Sequence, residues 1–395
     1  MNKNVSIVLG ALFGDEGKGA MVNFLARDAN NPLIIRFNGG HQVGHQVVND
    51  GTRHVFSNFG SGTLQGAPTY WSRFCTVSPT GVMREGKALR DMGINPVVFY
   101  DANAMVTTPF DILKNIQNDN ANYHGSVGVG FGQTIQRNED MYHLYMRDLL
   151  YPKIRDAKLQ NIINKYYGYN FDPTQPRQNV KTRAIYEDFI KACDELVRTH
   201  KIIFDGLREL QDHDWIFEGG QGILLDMDYG FFPNVTRSNT TAKNALELLK
   251  DYPERSIRTF YMTRAYQCRH GNGYMTNEDL DNDYIIDNPL EANTDESFQG
   301  EFRKTVLDVD LLNYAISCDH YENPKSQRIL VVTCLDQVPA RLPVTLGGEL
   351  VEIEWKEIVN YVDPRMQSWG TYSDEGYKYP WQLKEKENEI LNTKD

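Results

Sequence analysis

The stretch Val5-Ser6-Ile7-Val8-Leu9-Gly10-Ala11-Leu12-Phe13-Gly14-Asp15-Glu16-Gly17-Lys18-Gly19 decides the reading of the fold. Val5 to Leu9 is a short β-prone run that ends at Gly10, a glycine-rich turn follows, and Ala20 to Arg27 reads as a helix. Similar buried-strand runs stand at Leu33 to Phe37, Val97 to Tyr100, Trp215 to Phe217 and Ile329 to Thr333, separated by helical patterns such as Ala184 to Leu210. This alternation predicts an α/β fold, a central and mostly parallel sheet flanked by helices. Ligands on such sheets bind outside the carboxyl ends of the strands. The strands at Val5, Leu33 and Trp215 each run directly into a glycine-containing loop.

The 395 residues are 41% hydrophobic and 24% charged, enough apolar content for a large core. Lys and Arg number 41 against 53 Asp and Glu, a net charge of −12, so nothing supports broad capture of nucleic acid or an anionic membrane. Any polyanion must be held locally. Cys75, Cys193, Cys268, Cys318 and Cys334 are scattered and never in a CxxC spacing, which fits free thiols in a reducing, cytoplasmic compartment and no zinc module. The amino-terminal apolar run is too short for a signal peptide or a spanning helix. No Gly/Ser linker or repeat divides the chain; Asn115 to His124, Asp172 to Asn179 and Asn277 to Asn288 read as loops within one body spanning 1–395. Lys384 to Asp395 reads as a frayed helix or tail.

Gly14-Asp15-Glu16-Gly17-Lys18-Gly19 follows a strand and opens a helix, where backbone N–H groups and the positive helix end favour phosphate, or else it is a tight turn with a solvated acidic pair. It fails the strict Walker A pattern: no glycine sits five positions before Gly17, and Gly19 replaces the Ser or Thr that ligates magnesium. A metal would need another ligand, and Asp15 is the nearest hard one. Gly39-Gly40-His41-Gln42-Val43-Gly44-His45 delivers two histidines on a glycine loop; either could be a general acid, and no third His or Cys stands nearby for zinc. Phe217-Glu218-Gly219-Gly220-Gln221-Gly222 presents an amide that can donate to and accept from a purine edge. Thr236 to Thr241 suits phosphate binding or N-capping, and Asp336 could pair with guanine or begin a turn.

The order of these loops resembles the adenylosuccinate synthetase family. Its G-D-E-G-K-G loop stands at Gly14 to Gly19, G-G-H-x-x-G-H at Gly39 to His45, and F-E-G-x-Q-G at Phe217 to Gly222. Y-G-x-x-P-x-V-T-x-S-N-T-T stands at Tyr229 to Thr241, A-Y-x-x-R-x-G-x-G at Ala265 to Gly273, and T-x-L-D at Thr333 to Asp336. The resemblance implies a P-loop-NTPase-like fold in one large domain with loop and helical insertions. It also implies a GTP- and Mg2+-dependent ligase that condenses L-aspartate with a 6-oxopurine nucleotide, normally IMP, through a 6-phosphoryl intermediate. By that resemblance Asp15 removes the N1 proton and ligates Mg2+ with the Gly44 carbonyl, His45 donates to the departing GDP, Lys18 neutralises phosphate, and Gln221 holds the purine O6 region. Nucleotide contacts are carried over to Gly14, Glu16, Gly17, Gly19, Gln42, Ser126, Val127, Thr236, Arg269, Thr333 and Asp336, the last reading guanine. A homodimer with shared sites is implied, with Arg137 the candidate to reach the partner's site.

The chain departs from the family at three places. Gln42 stands where Asn is usual, and Gly125 to Gln133 loses an arginine and a hydroxyl. Where T-T-G-R-P-R-R is expected, Asp295 to Arg303 stands; Arg303 fills the second arginine position, for the amino acid, and Glu301 the first. A viral branch that makes 2-aminoadenylosuccinate from dGMP is the alternative, though its best-known members carry serine where Asp15 stands. A GTP-binding regulatory protein without ligation is the alternative of another class.

Overall fold

The computed structural model describes residues 4–122, 127–175, 180–289, 291, 300–323, 325–362, 368–371 and 382–385. Ten strands build the central sheet: β1 (Asn4–Gly10), β2 (Pro32–Arg36), β3 (Thr69–Trp71), β4 (Val98–Asp101), β5 (Lys201–Ile203), β6 (Asp214–Glu218), β7 (Ser256–Arg264), β8 (Gln327–Thr333), β9 (Ser368–Thr371) and β10 (Gln382–Glu385). Their order is β10-β9-β8-β7-β1-β6-β2-β3-β4-β5. Every neighbouring pair is parallel except β9 with β10. The first strand of the chain therefore lies near the centre of the sheet, buried on both faces, which explains its continuous apolar composition.

Alternation along the strands separates two cores. Val5, Ile7 and Leu9 pack on one face with Leu33, Ile35, Phe217, Tyr261 and Leu330. Val8 turns to the other, with Ile34, Ile216, Phe260 and Val331, under Met21, Val22 and Leu25 of α1 (Lys18–Asp28). A third cluster joins Trp71 and Tyr100 to α2 (Pro79–Asp91) and to the helix Val180–Thr199.

The structure departs from the sequence expectation at three places. Asn115 begins no loop but lies within α3 (Pro109–Asn122), whose polar composition is overridden by tertiary contact with α4 (Phe131–Glu139): the Asn115 Oδ1 accepts from Gly130 N at 2.8 Å. The helical pattern from Ala184 stops at Thr199, and Lys201–Ile203 becomes the edge strand β5 beside β4, a pairing that no local periodicity announces. At the carboxyl end Lys384 and Glu385 belong to β10 rather than to a tail, while 386–395 lie outside the described residues. No helix among the described residues is long and apolar enough to cross a membrane.

Candidate active site

Because β1, β2, β6, β7 and β8 run parallel, their carboxyl ends open on one edge of the sheet. Glu218 pairs in register with Val8 on one side and Arg36 on the other, and Arg264 pairs with Thr333. The loops that follow these residues carry the chemistry.

After β1, Gly17 caps α1 in the left-handed region with φ 84°, and Lys18 is the first helical residue, only 3% exposed. Its Nζ lies 3.9 Å from Glu16 Oε2. The Glu16 carboxylate turns inward, where it accepts from Leu12 N at 2.5 Å, and burial pushes its carboxyl up to about 7 against the pull of Lys18. Glu16 was expected to touch nucleotide; its side chain instead braces the loop from beneath. Gly19 is required by close approach: a Cβ there would lie 2.8 Å from His45 Cβ and 3.1 Å from Ser61 Oγ. The residue that breaks the Walker pattern is thus what lets α1 meet the histidine loop.

His45 opens a hairpin, His45–Asn49 with Thr52–Phe56, that fixes its backbone. Its Nδ1 lies 2.6 Å from Glu218 Oε1, and Glu218 also accepts from Ser61 N at 3.1 Å and from Ser61 Oγ. Burial alone would raise Glu218, but Arg36, His45 and Ser61 together hold it at about 2. Burial lowers His45 despite the neighbouring carboxylate. The pair therefore consists of an anionic Glu218 and a neutral imidazole whose Nδ1–H is donated to it, leaving the Nε2 lone pair for the site. Arg36 is fully buried, 5.0 Å from the Trp71 ring, and its guanidinium nitrogens make no hydrogen bond among the described residues. Motif reading did not single out Glu218, Arg36 or Ser61, which the structure gathers around His45. A carboxylate inside F-E-G-x-Q-G was a signal, but its partner lies 173 residues away. Of the two histidines, His41 is held near pKa 4 by burial and Arg84, so the Glu218 contact distinguishes His45 as the polarised one.

A second group of polar atoms gathers beside this pair. Gln221 Nε2 donates to Thr236 Oγ1 at 3.1 Å, while Gln221 Oε1, both amide atoms of Gln42, Thr76 Oγ1 and His41 Nδ1 are buried without a hydrogen bond among the described residues. A Cβ on Gly39 would stand 3.2 Å from Gln42 Nε2 and 3.8 Å from Gln221 Oε1, so the two amides share one wall. Buried donors and acceptors left open in this way are what a polar planar ligand would satisfy. Arg237 bonds to Gln136 and Glu139, tying the Thr236 loop to α4, which Val127 precedes. Ser126 lies outside the described residues.

Four residues expected to contact ligand or partner through an arginine or hydroxyl are engaged within the chain. Arg137 is fully buried, with Nε 2.8 Å from Asp111 Oδ1 and further bonds to the Val106 and Tyr142 carbonyls. A guanidinium sealed in the interior cannot reach a partner subunit, so the expectation for Arg137 is corrected. Arg303 donates to Glu278 and to the Gly271 and Gly273 carbonyls, and Arg269 to the Tyr274 and Asn234 carbonyls. Both hold loops, and burial together with Arg303 lowers Arg269 to about 10. Thr333 Oγ1 donates to the Glu16 and Thr263 carbonyls, binding the glycine loop to the end of β8. Asp336 is half-buried just beyond it, in the short helical turn Leu335–Gln337.

Asp15 stands apart from these networks. Arg264 Nε donates to its carbonyl at 2.6 Å, but its carboxylate, 31% exposed, makes no hydrogen bond among the described residues. Gly44 is exposed. No group of three or more His, Cys, Asp or Glu able to hold a metal occurs among the described residues. A cation here would rest on Asp15, backbone and substrate oxygens, the usual manner of magnesium.

Comparison with known proteins agrees with this geometry. The adenylosuccinate synthetase family model matches residues 7–367. Adenylosuccinate synthetase of Buchnera aphidicola subsp. Schizaphis graminum is 29% identical over 375 residues, 91% of this chain and 83% of that protein. Among solved structures, fully ligated adenylosuccinate synthetase from Plasmodium falciparum superposes with a TM-score of 0.64 at 17% identity, covering 96% of this chain and 87% of that one. Cyanophage S-2L succinoaminodeoxyadenylate synthetase, bound to dGMP and to dATP as an energy donor, gives 0.56 at 16% identity, covering 94% and 93%. With a family model spanning most of the chain and its loops assembled on one sheet edge, this chain belongs to the adenylosuccinate synthetase family.

Proposed function

We propose that this chain condenses L-aspartate with a 6-oxopurine 5′-monophosphate, IMP, at the expense of GTP and with Mg2+. Family membership makes it a C–N bond-forming ligase of purine biosynthesis; the finer assignment is ours. The observation that carries it is the juxtaposition of the Asp15 loop with the Glu218–His45 pair, across the 2.8 Å approach that only glycine at 19 permits.

In this reading Asp15 takes the N1 proton, so that O6 attacks the γ-phosphorus of GTP and the bond to the β-bridging oxygen breaks. Lys18 and the loop N–H groups neutralise charge on the transferring phosphoryl group. His45, drawn to the imidazolium form by the arriving polyphosphate, donates from Nε2 to the departing GDP while Glu218 holds Nδ1. The aspartate amine then displaces the 6-phosphate, giving adenylosuccinate and phosphate. Gln42 and Gln221 complement the base edge, Thr236 the 5′-phosphate, and Asp336 the guanine of GTP. Asp15 and the Gly44 carbonyl would hold Mg2+, which supplies charge neutralisation to the phosphates when bound.

The test is release of phosphate from GTP with Mg2+, aspartate and either IMP or dGMP, repeated with ATP or dATP as donor. The dGMP arm follows from Glu301 at the first arginine position and from the cyanophage enzyme's ligands. Turnover of dGMP alone overturns IMP as substrate, and absence of amino-acid-dependent release with either nucleotide overturns ligation. Chelation of the metal abolishes turnover. A homodimer goes with this reading and is checked by light scattering; the residue exchanged across it is not Arg137.

A further inference from the structure

His270 lies on a short antiparallel ladder, Gln267–His270 against Phe302–Thr305, in which it pairs with Phe302. The next residue closes the ladder, with Gly271 N donating to Glu301 O at 2.9 Å. The imidazole packs on the Phe302 ring at 4.8 Å between centroids, so both its backbone and its ring are fixed. Its side chain is 10% exposed, and neither ring nitrogen makes a hydrogen bond among the described residues. Leaving a buried polar group unpaired costs roughly 1–3 kcal/mol, which structures tolerate chiefly where the group has work to do.

One ring nitrogen faces the Asp15 carboxylate. His270 Nε2 stands 3.6 Å from Asp15 Oδ2, beyond hydrogen-bond range but within about 1 Å of it. Asp15 itself adopts the left-handed conformation, φ 59°, and its carbonyl is fixed by Arg264. Arg264 lies over the same Phe302 ring, at 5.4 Å. One aromatic platform therefore supports both contacts of Asp15: the guanidinium that holds its backbone and the imidazole beside its carboxylate. Hydrogen bonds of catalytic groups are often long before substrate binds and tighten in the complex.

We propose that His270 is a positioning residue for Asp15: in the working complex Nε2–H donates to Oδ2, fixing the carboxylate plane so that Oδ1 faces the base N1–H. His270 takes no proton in the reaction; the N1 proton passes to Asp15. The role rests on the activity proposed above. It predicts that orientation, not nucleotide affinity, is lost with the imidazole.

The experiment is steady-state kinetics of the full chain, with His270→Phe and His270→Gln compared alone and in an Asp15→Asn background. Misplacing a reacting group by about 1 Å costs on the order of 100-fold, so H270F lowers kcat by roughly 10- to 100-fold while KM for GTP and nucleotide moves less than about threefold. H270Q, which keeps an N–H at similar reach, restores kcat to within about fivefold, and in the D15N background H270F causes no further loss. Equal defects in H270F and H270Q, a defect confined to KM, or full additivity with D15N each overturn the role. Turnover by the unmodified chain with H270F unchanged overturns His270 alone; absence of turnover by the unmodified chain overturns the activity and this role with it.

Discussion

Replacing Glu218 with Gln tests the Glu218–His45 pair most directly. The carboxylate accepts from His45 Nδ1, Ser61 N and Ser61 Oγ, and it is the charge that faces the buried Arg36. An amide offers one oxygen acceptor and turns its NH2 toward a donor, so at least one of the three bonds is lost. Arg36 is left buried without compensation, at a cost of about 3–5 kcal/mol. With an unfolding entropy near 2.1 cal/mol/K per residue, a chain of 395 residues loses roughly 4–6 °C of Tm. The imidazole also loses the partner that fixes its tautomer, so kcat falls by about 100- to 10,000-fold, the range that general acid catalysis supplies. Thermal unfolding and single-turnover phosphate release measure the two effects separately. Arg36→Met in the E218Q background removes the orphaned cation and recovers stability without recovering kcat. An E218Q protein with unchanged Tm and kcat within about threefold of the parent refutes the reasoning, as does a double variant that regains activity.

Further outcomes follow from the same contacts. Gly19→Ala drives a methyl group against His45 and Ser61, lowering stability by about 1–3 kcal/mol and kcat at least tenfold, with thermal melts and initial rates as the readout. Arg137→Met leaves Asp111 uncompensated in the interior, so the denaturant midpoint falls by the equivalent of about 3–5 kcal/mol, and mixing R137M with D15A subunits restores no activity. Glu16 has a folded-state pKa raised to about 7, so the folded chain binds the proton more tightly and Glu16 costs stability as pH rises from the ordinary carboxyl range through 7. Glu16→Gln removes that limb: its melting temperature exceeds the parent's at pH 8 and the two converge near pH 5, and parallel curves at both pH values contradict the assignment.

The motif loops were legible because each is local. Gly14 to Gly19 reads as a strand–turn–helix junction whatever surrounds it, and the structure has β1 and α1 there with boundaries shifted by at most two residues from Val5–Leu9 and Ala20–Arg27. Gly39 to His45 and Phe217 to Gly222 likewise follow strands, as their apolar runs require. Short strands such as the edge strand Lys201–Ile203 and the interior strand Thr69–Trp71 were not legible, since three residues carry too little pattern to outweigh their flanks. The polar helix around Asn115 was not legible either, because its support comes from α4 and not from its own composition.

Side-chain roles divide in the same way. Sequence by itself determined the family, the parallel sheet and the identity of Asp15, Lys18, His45 and Gln221 as candidates, because glycine spacing and residue type at strand ends constrain the backbone locally. Only the tertiary structure decided that Glu16 faces inward, that Arg137 and Arg303 are held by carboxylates and carbonyls, that Glu218 polarises His45, and that His270 stands beside Asp15. A charge has its effect through distance and burial. Those are set by strands brought side by side from opposite ends of the chain, and no local spacing encodes them.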